Sequence, residues 1–154
     1  MTMNVERGLA SAKQKCHDTG VRFTEKREAL LKLLLSASTP LSAYELVDVY
    51  NKTNEHSIQA MSVYRILDLF VEMDLVHKLS SSNKYVTCAH LTCDHHHHEQ
   101  FFLVCKSCGT SREISMSSPL ITQIEKSAKE AGFTLLQSQF ELNGLCGECQ
   151  NKSA

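Results

Sequence analysis

Two Cys-x-x-Cys pairs, Cys105-Lys-Ser-Cys108 and Cys146-Gly-Glu-Cys149, constrain this sequence more than any other feature. Together they make a complete set of four thiolates, the soft ligand set that Zn²⁺ gathers into a tetrahedron. The two knuckles stand at opposite ends of the C-terminal part of the chain. A shared ion would therefore staple its last strand to its first. The chain has seven cysteines, so a full disulfide framework would leave one over. Paired knuckles in a chain without a signal peptide point to metal instead.

A second group of potential ligands surrounds the run His95-His96-His97-His98. Adjacent residues cannot all reach one ion, so one or two of the four belong to any site. Their possible partners are His77, Cys88, His90, Cys93 and Glu113. His77 precedes the connection between the two halves of the chain and the other candidates follow it. A site drawing on both sides would clamp two domains together.

The N-terminal half reads as helices followed by a hairpin. Residues 4–19 are polar and helix-compatible, with Gly20 as the stop. Near that end, Cys16 and His17 read as an isolated thiol and a surface imidazole. Thr24 is an N-cap candidate, and Leu30, Leu33 and Leu34 recur at helical spacing behind it. Pro40 marks the next break. Ser42 and Glu45 form a capping-box pair, and Ala43, Leu46, Val47 and Tyr50 share one face of the helix they open.

The loop 51–57 leads to a helix over 59–73 whose inner face is Val63, Ile66, Leu67, Phe70 and Val71. Ser62, Tyr64, Arg65 and Asp68 then point the other way. An outward aromatic beside an arginine near a helix N-terminus suits a DNA major groove. Arg can bind guanine O6 and N7 together, and an aromatic can pack on a thymine methyl. Two β-prone runs, 75–79 and 84–88, flank the polar turn Ser80-Ser-Ser-Asn83. Helices followed by a hairpin is the order of a winged helix-turn-helix; a helical protein-interaction module is the other reading.

The C-terminal half reads as strands, a helix and a strand. Phe101 to Cys105 is apolar throughout, as in a central strand, and 110–114 pairs with it. Ser118 is the expected N-cap, with Pro119 at the first helical position. Ile121, Ile124, Ala128 and Ala131 share a face, Gly132 ends the helix, and 133–142 is strand-like. Such a small α+β unit has little core of its own, and metal or self-association supplies what it lacks.

Over almost its whole length the chain resembles the ferric-uptake-regulator (Fur) family of metal-sensing repressors, and within it the zinc-uptake branch. The resemblance rests on Arg22-x-Thr24-x-x-Arg27, Ser62-Val-Tyr64-Arg65-Ile-Leu67, Leu75-Val76-His77, the histidine run before Cys105-x-x-Cys108-Gly109, and Cys146-x-x-Cys149. It implies an α+β chain in which residues 1–82 form a winged-helix DNA-binding domain with wing and hinge, and 83–154 a metal-binding dimerisation domain. By matched position, Tyr64 and Arg65 would read bases of double-stranded operator DNA in a homodimer. Cys105, Cys108, Cys146 and Cys149 would hold a structural Zn²⁺. His77, Cys88, His98 and Glu113 would hold a regulatory Zn²⁺.

The chain departs from the family pattern in places. The usual Thr-Pro-Gln-Arg reads Thr24-Glu25-Lys26-Arg27, and Ser62 stands where Thr is common. Six residues, Glu99 to Val104, separate the histidine run from the first knuckle, against two in the iron-sensing branch. Cys88 adds a thiolate, and both differences favour zinc over Fe²⁺.

Other classes are weaker on the same residues. A zinc enzyme would need an open coordination position and a general base; there is no His-Glu-x-x-His helix, and Glu99 is the best base available. Zinc storage or delivery would use the histidine run without any operator preference. A Fe, Mn, Ni or peroxide sensor stays open within the family. The net charge of −1 gives DNA no whole-chain field, so binding would need a local surface. No run is long or apolar enough for a membrane. With a charged start at Met1 to Arg7, a cytoplasmic address is expected.

Overall fold

The computed structural model describes residues 5–89, 91, 100–136 and 139–152. The chain divides into two compact units, Met1–His95 and His96–Ala154.

In the first unit, α1 (Val5–Asp18), α2 (Glu25–Ser36), α3 (Ala43–Thr53) and α4 (Ala60–Glu72) precede a hairpin of β1 (Val76–Leu79) and β2 (Lys84–Thr87). Local chemistry sets the helix starts. The Thr24 hydroxyl accepts from the Arg27 N–H at 3.4 Å and opens α2. At α3 the capping box is complete: Ser42 Oγ accepts from the Glu45 N–H, and the Glu45 carboxylate accepts from the Ser42 N–H. Gly20 follows α1 with φ +71°, a conformation that needs no Cβ to be accommodated.

The core of this unit joins Leu30, Leu31, Leu46, Val63, Leu67 and Phe70, all without solvent exposure. Each such side chain contributes about 1.5–3 kcal/mol on burial. Cys16, expected as an isolated thiol, lies inside the first unit. It is buried, with its sulfur 3.9 Å from Met73 Sδ at the end of α4, and burial pushes the thiol up. His17 beside it is exposed.

The hairpin follows α4 directly. The Leu75 N–H donates to the Phe70 carbonyl after a turn in which Asp74 takes φ +55°. Asn83, at φ +54°, closes the hairpin turn; asparagine enters this region more readily than most residues. The register is antiparallel, with Val76 opposite Thr87 and Leu79 opposite Lys84. The boundary expected between 82 and 83 lies in this turn, and β2 pairs within the first unit. An isolated bridge from Leu41 to Tyr85 adds a third short line to the hairpin.

In the second unit, β3 (Gln100–Cys105), β4 (Ser111–Ile114), α5 (Ser118–Glu130), β5 (Gln139–Gly144) and α6 (Gly147–Lys152) follow in order. The sheet order is β4-β3-β5, so the apolar run is central. β4 pairs with it antiparallel and β5 parallel, Gln100 opposite Gln139 and Cys105 opposite Gly144. Phe101 and Phe140 stack across that parallel pair with centroids 4.6 Å apart.

Three sequence expectations shift here. The N-cap of α5 is Ser117, and Pro119 falls at the second helical position. A missing N–H is tolerated throughout the first turn, so proline does not mark one position there. The strand expected over 133–142 begins at Gln139, because residues 133–136 return the chain to the start of β3 for parallel pairing. The second knuckle also opens the short helix α6, which the spacing alone did not suggest.

Leu67→Ala is expected to lower the unfolding free energy by about 2–5 kcal/mol and Ser42→Ala by about 1 kcal/mol. Urea unfolding curves measure both. A loss at Leu67 no larger than that at Ser42 would contradict the packing described.

Candidate metal centre and nucleic-acid interface

The parallel pairing of β3 and β5 places the end of one strand beside the end of the other. Cys105 ends β3, and Cys146 comes two residues after Gly144, its partner. The Cys105–Gly109 turn, with Gly109 at φ +75°, brings Cys108 back, and α6 presents Cys149. The four sulfurs lie within 4.8 Å of one another. Cys108 Sγ and Cys146 Sγ are 3.7 Å apart. That is far beyond a disulfide, about 2.05 Å. It agrees with the edge of a tetrahedron with Zn–S distances of about 2.3 Å, which is about 3.8 Å. The donor set therefore fits Zn²⁺ in both chemistry and size.

The surrounding backbone prepares this set for a cation. N–H groups of Cys108 and Cys146 point at Cys105 Sγ, the latter from 3.4 Å, and pull its pKa down to about 6. At Cys108 the Thr110 N–H also favours a thiolate. Contact with the Cys105 sulfur, burial, and contacts with Cys146 and Cys149 outweigh it, raising the pKa to about 11. Without a cation, the Cys105 sulfur ionises at the expense of Cys108. A bound Zn²⁺ would let all four ionise.

A second pair of potential ligands lies in the first unit. His77 is opposite Val86 in the hairpin, and Cys88 lies two residues beyond Val86. The period of two along a strand puts 86 and 88 on one face, so His77 and Cys88 are diagonal neighbours. Their ligand atoms are within 4.8 Å, and the side chains are 4% and 3% exposed. The Cys88 N–H donates to the Leu75 carbonyl at 3.0 Å, which extends the hairpin ladder past β2 and fixes the thiol. Glu113 is on β4 of the second unit, opposite Phe102, and is half-buried. His90, Cys93 and His95 to His98, including the expected ligand His98, lie outside the described residues.

The candidate nucleic-acid face is on α4. Arg65, Ser62 and Asp68 are exposed. Tyr64 is half-buried, its ring held edge-on by Tyr44 at 6.2 Å between centroids. Tyr44 is 69% exposed. Sequence reasoning passed over it, although an aromatic on the polar face of an amphipathic helix is a usable signal. The N-cap of α4, Gln59, makes no side-chain cap hydrogen bond, and the first turn has no acidic residue, which leaves the positive end of the helix favourable to an anion.

The sequence matches the Ferric uptake regulator family over residues 18–143, more than half of the chain. The chain belongs to the ferric uptake regulator family. Among curated relatives, it is 33% identical to the zinc uptake regulation protein of Escherichia coli (strain K12) over 141 residues, covering 92% of this chain and 80% of that one. It is also 33% identical to the ferric uptake regulation protein of Campylobacter jejuni over 141 residues, covering 88% and 83%. Among solved structures, a zinc uptake regulator complexed with zinc and DNA superposes with a TM-score of 0.85 at 30% identity, covering 98% of both chains. The α+β fold of this Fur-family chain is thus shared along its whole length.

Because backbone N–H groups hold the Cys105 thiol low, loading the four-cysteine centre near neutral pH is expected to release fewer than four protons per Zn²⁺. Calorimetry in buffers of different ionisation enthalpy measures the number. Release of a full four would contradict the thiolate assigned to Cys105.

Proposed function

We propose that this protein is a zinc-responsive transcriptional repressor. It acts as a homodimer on double-stranded operator DNA, with Zn²⁺ as co-repressor, and controls zinc uptake genes. Its role is regulatory rather than enzymatic, in the cytoplasm. The first unit, including the β1–β2 hairpin, serves as the winged-helix reader, and the second as the metal-binding, dimerising part.

The observation that carries the zinc assignment is the buried His77–Cys88 pair. A thiolate beside an imidazole selects Zn²⁺ over Fe²⁺, which prefers harder donors. Overall identity does not choose between them, since a zinc and a ferric relative are both 33% identical to this chain. The likeness to a regulator bound to zinc and DNA supports the same reading. An iron-responsive role is the second reading, favoured by the ferric relative.

In the proposed mechanism, Cys105, Cys108, Cys146 and Cys149 hold a structural ion that keeps the second unit folded. His77 and Cys88 contribute two ligands of the regulatory ion, and Glu113 and His98 the others. A bound Zn²⁺ would supply a junction among these four ligands. Because they precede and follow the connection between the two parts of the chain, filling the site would fix how far apart the two readers of a dimer stand. That separation must match successive major-groove faces, about 34–36 Å apart or a related spacing. Tyr64 and Arg65 then read bases. Operator DNA must tighten zinc binding by the factor by which zinc tightens DNA binding.

DNA binding titrated against buffered free Zn²⁺, Fe²⁺ and Mn²⁺ tests this reading. Palindrome binding should switch on at low free Zn²⁺ with two Zn²⁺ per chain. Switching by Fe²⁺ or Mn²⁺ with one Zn²⁺ per chain would overturn the zinc assignment. Metal-independent behaviour would overturn the sensor reading altogether.

His77→Ala should abolish zinc-dependent DNA binding and leave a folded protein, whereas Cys105→Ser should unfold the second unit. Circular dichroism distinguishes them, and equal loss of fold in both would refute this division of roles. Ligand protonation competes with metal, so repression should weaken as the pH falls.

A further inference from the structure

Among the described residues of the first unit, large hydrophobic side chains are strongly exposed at two positions, Tyr44 and Met61. Both flank the proposed reading residues. Tyr44 braces Tyr64 through its ring edge. Met61 is the second residue of α4, 64% exposed. It stands three residues before Tyr64 and four before Arg65, so it shares a helix face with both. The apolar demand of α4 is met elsewhere, by Val63, Leu67 and Phe70 on the inner face.

We infer that Met61 packs on the 5-methyl group of a thymine in the major groove and sets a base preference beside the position read by Arg65. This rests on the DNA-binding reading above. Three features fit an occupant that is DNA. Arg65 supplies a cation on the same face. The positive end of α4, whose first turn has no acidic residue, favours a polyanion. A thymine methyl is the apolar feature that distinguishes A·T from G·C pairs in that groove. Methionine suits the contact because its unbranched, polarisable thioether adapts to an irregular apolar surface. Arginine at i+4 can meet guanine O6 and N7 while Met61 covers the methyl of a neighbouring pair. The same turn of helix then reads one polar and one apolar group.

The test uses the full zinc-loaded chain and an operator selected by it from random DNA. Each thymine is replaced in turn by uracil, which removes the methyl and keeps every hydrogen-bonding group. One thymine per half-site should lose about four-fold in affinity, the value of one buried methylene. Met61→Ala should lose about as much on thymine DNA and nothing further on uracil DNA at that position. Met61→Leu should restore the discrimination. Since Met61 is exposed and alanine favours helix, the alanine variant should fold normally. Uracil-insensitive binding at every position would overturn the inference and leave the regulator reading standing. So would a Met61→Ala loss equal on both DNAs, or no loss at all, as expected if the side chain faces solvent or another protein. Failure of the wild-type chain to select any DNA would overturn both.

Discussion

Four sulfurs within a few ångströms of one another cannot all be thiolates unless a cation lies among them. At such separations the mutual repulsion of unit charges is several kcal/mol even in a well-screened interior. The second unit is built around this constraint. Its sheet has three strands, and the parallel pairing of β3 with β5 brings the two knuckles together at one end. That pairing joins residues about forty positions apart, with little buried surface on α5 to support it; among the described residues of that helix Ile121 alone is buried. A bound ion and the strand pairing would thus support each other. The strands bring the four sulfurs together, and an ion among them would hold the strands.

The hairpin uses a different device. His77 and Cys88 meet because of strand periodicity and register, and neither depends on metal. Backbone hydrogen bonds on both sides of the pair, including the one from Cys88 to Leu75, fix the ligands before any ion arrives. The structural set has to be neutralised to be stable as thiolates. The hairpin pair is two buried potential ligands on a scaffold already complete. The proposed division between a structural and a regulatory ion would draw on that contrast.

Features governed by near neighbours were legible in the sequence. The capping box at Ser42 and Glu45, the inner face of α4 and the hairpin turn at Asn83 depend on residues a few positions apart. The four-cysteine set was legible because its chemistry is so restrictive. Apart from the one-residue shift at the start of α5, what escaped depends on tertiary contact. Cys16 is buried because the end of α4 covers it, and nothing around residue 16 indicates that. The strand expected from Phe133 starts six residues later because its partner sets where pairing can begin. Tyr44 went unread because its role comes from Tyr64, twenty positions away. The choice of His98 within the histidine run falls on residues outside those described.

One small feature ties the first unit together. Leu41 and Tyr85 exchange both backbone hydrogen bonds, at 3.1 and 2.8 Å, and Lys84 reaches Glu45 at 3.0 Å. The hairpin is thereby fastened to the connection between α2 and α3 as well as to the end of α4. Its backbone entropy is lost when the unit folds, not when a ligand arrives. A metal ion held by His77 and Cys88, as proposed, would therefore meet a surface with little left to order. Less of its binding free energy would be spent on ordering the hairpin.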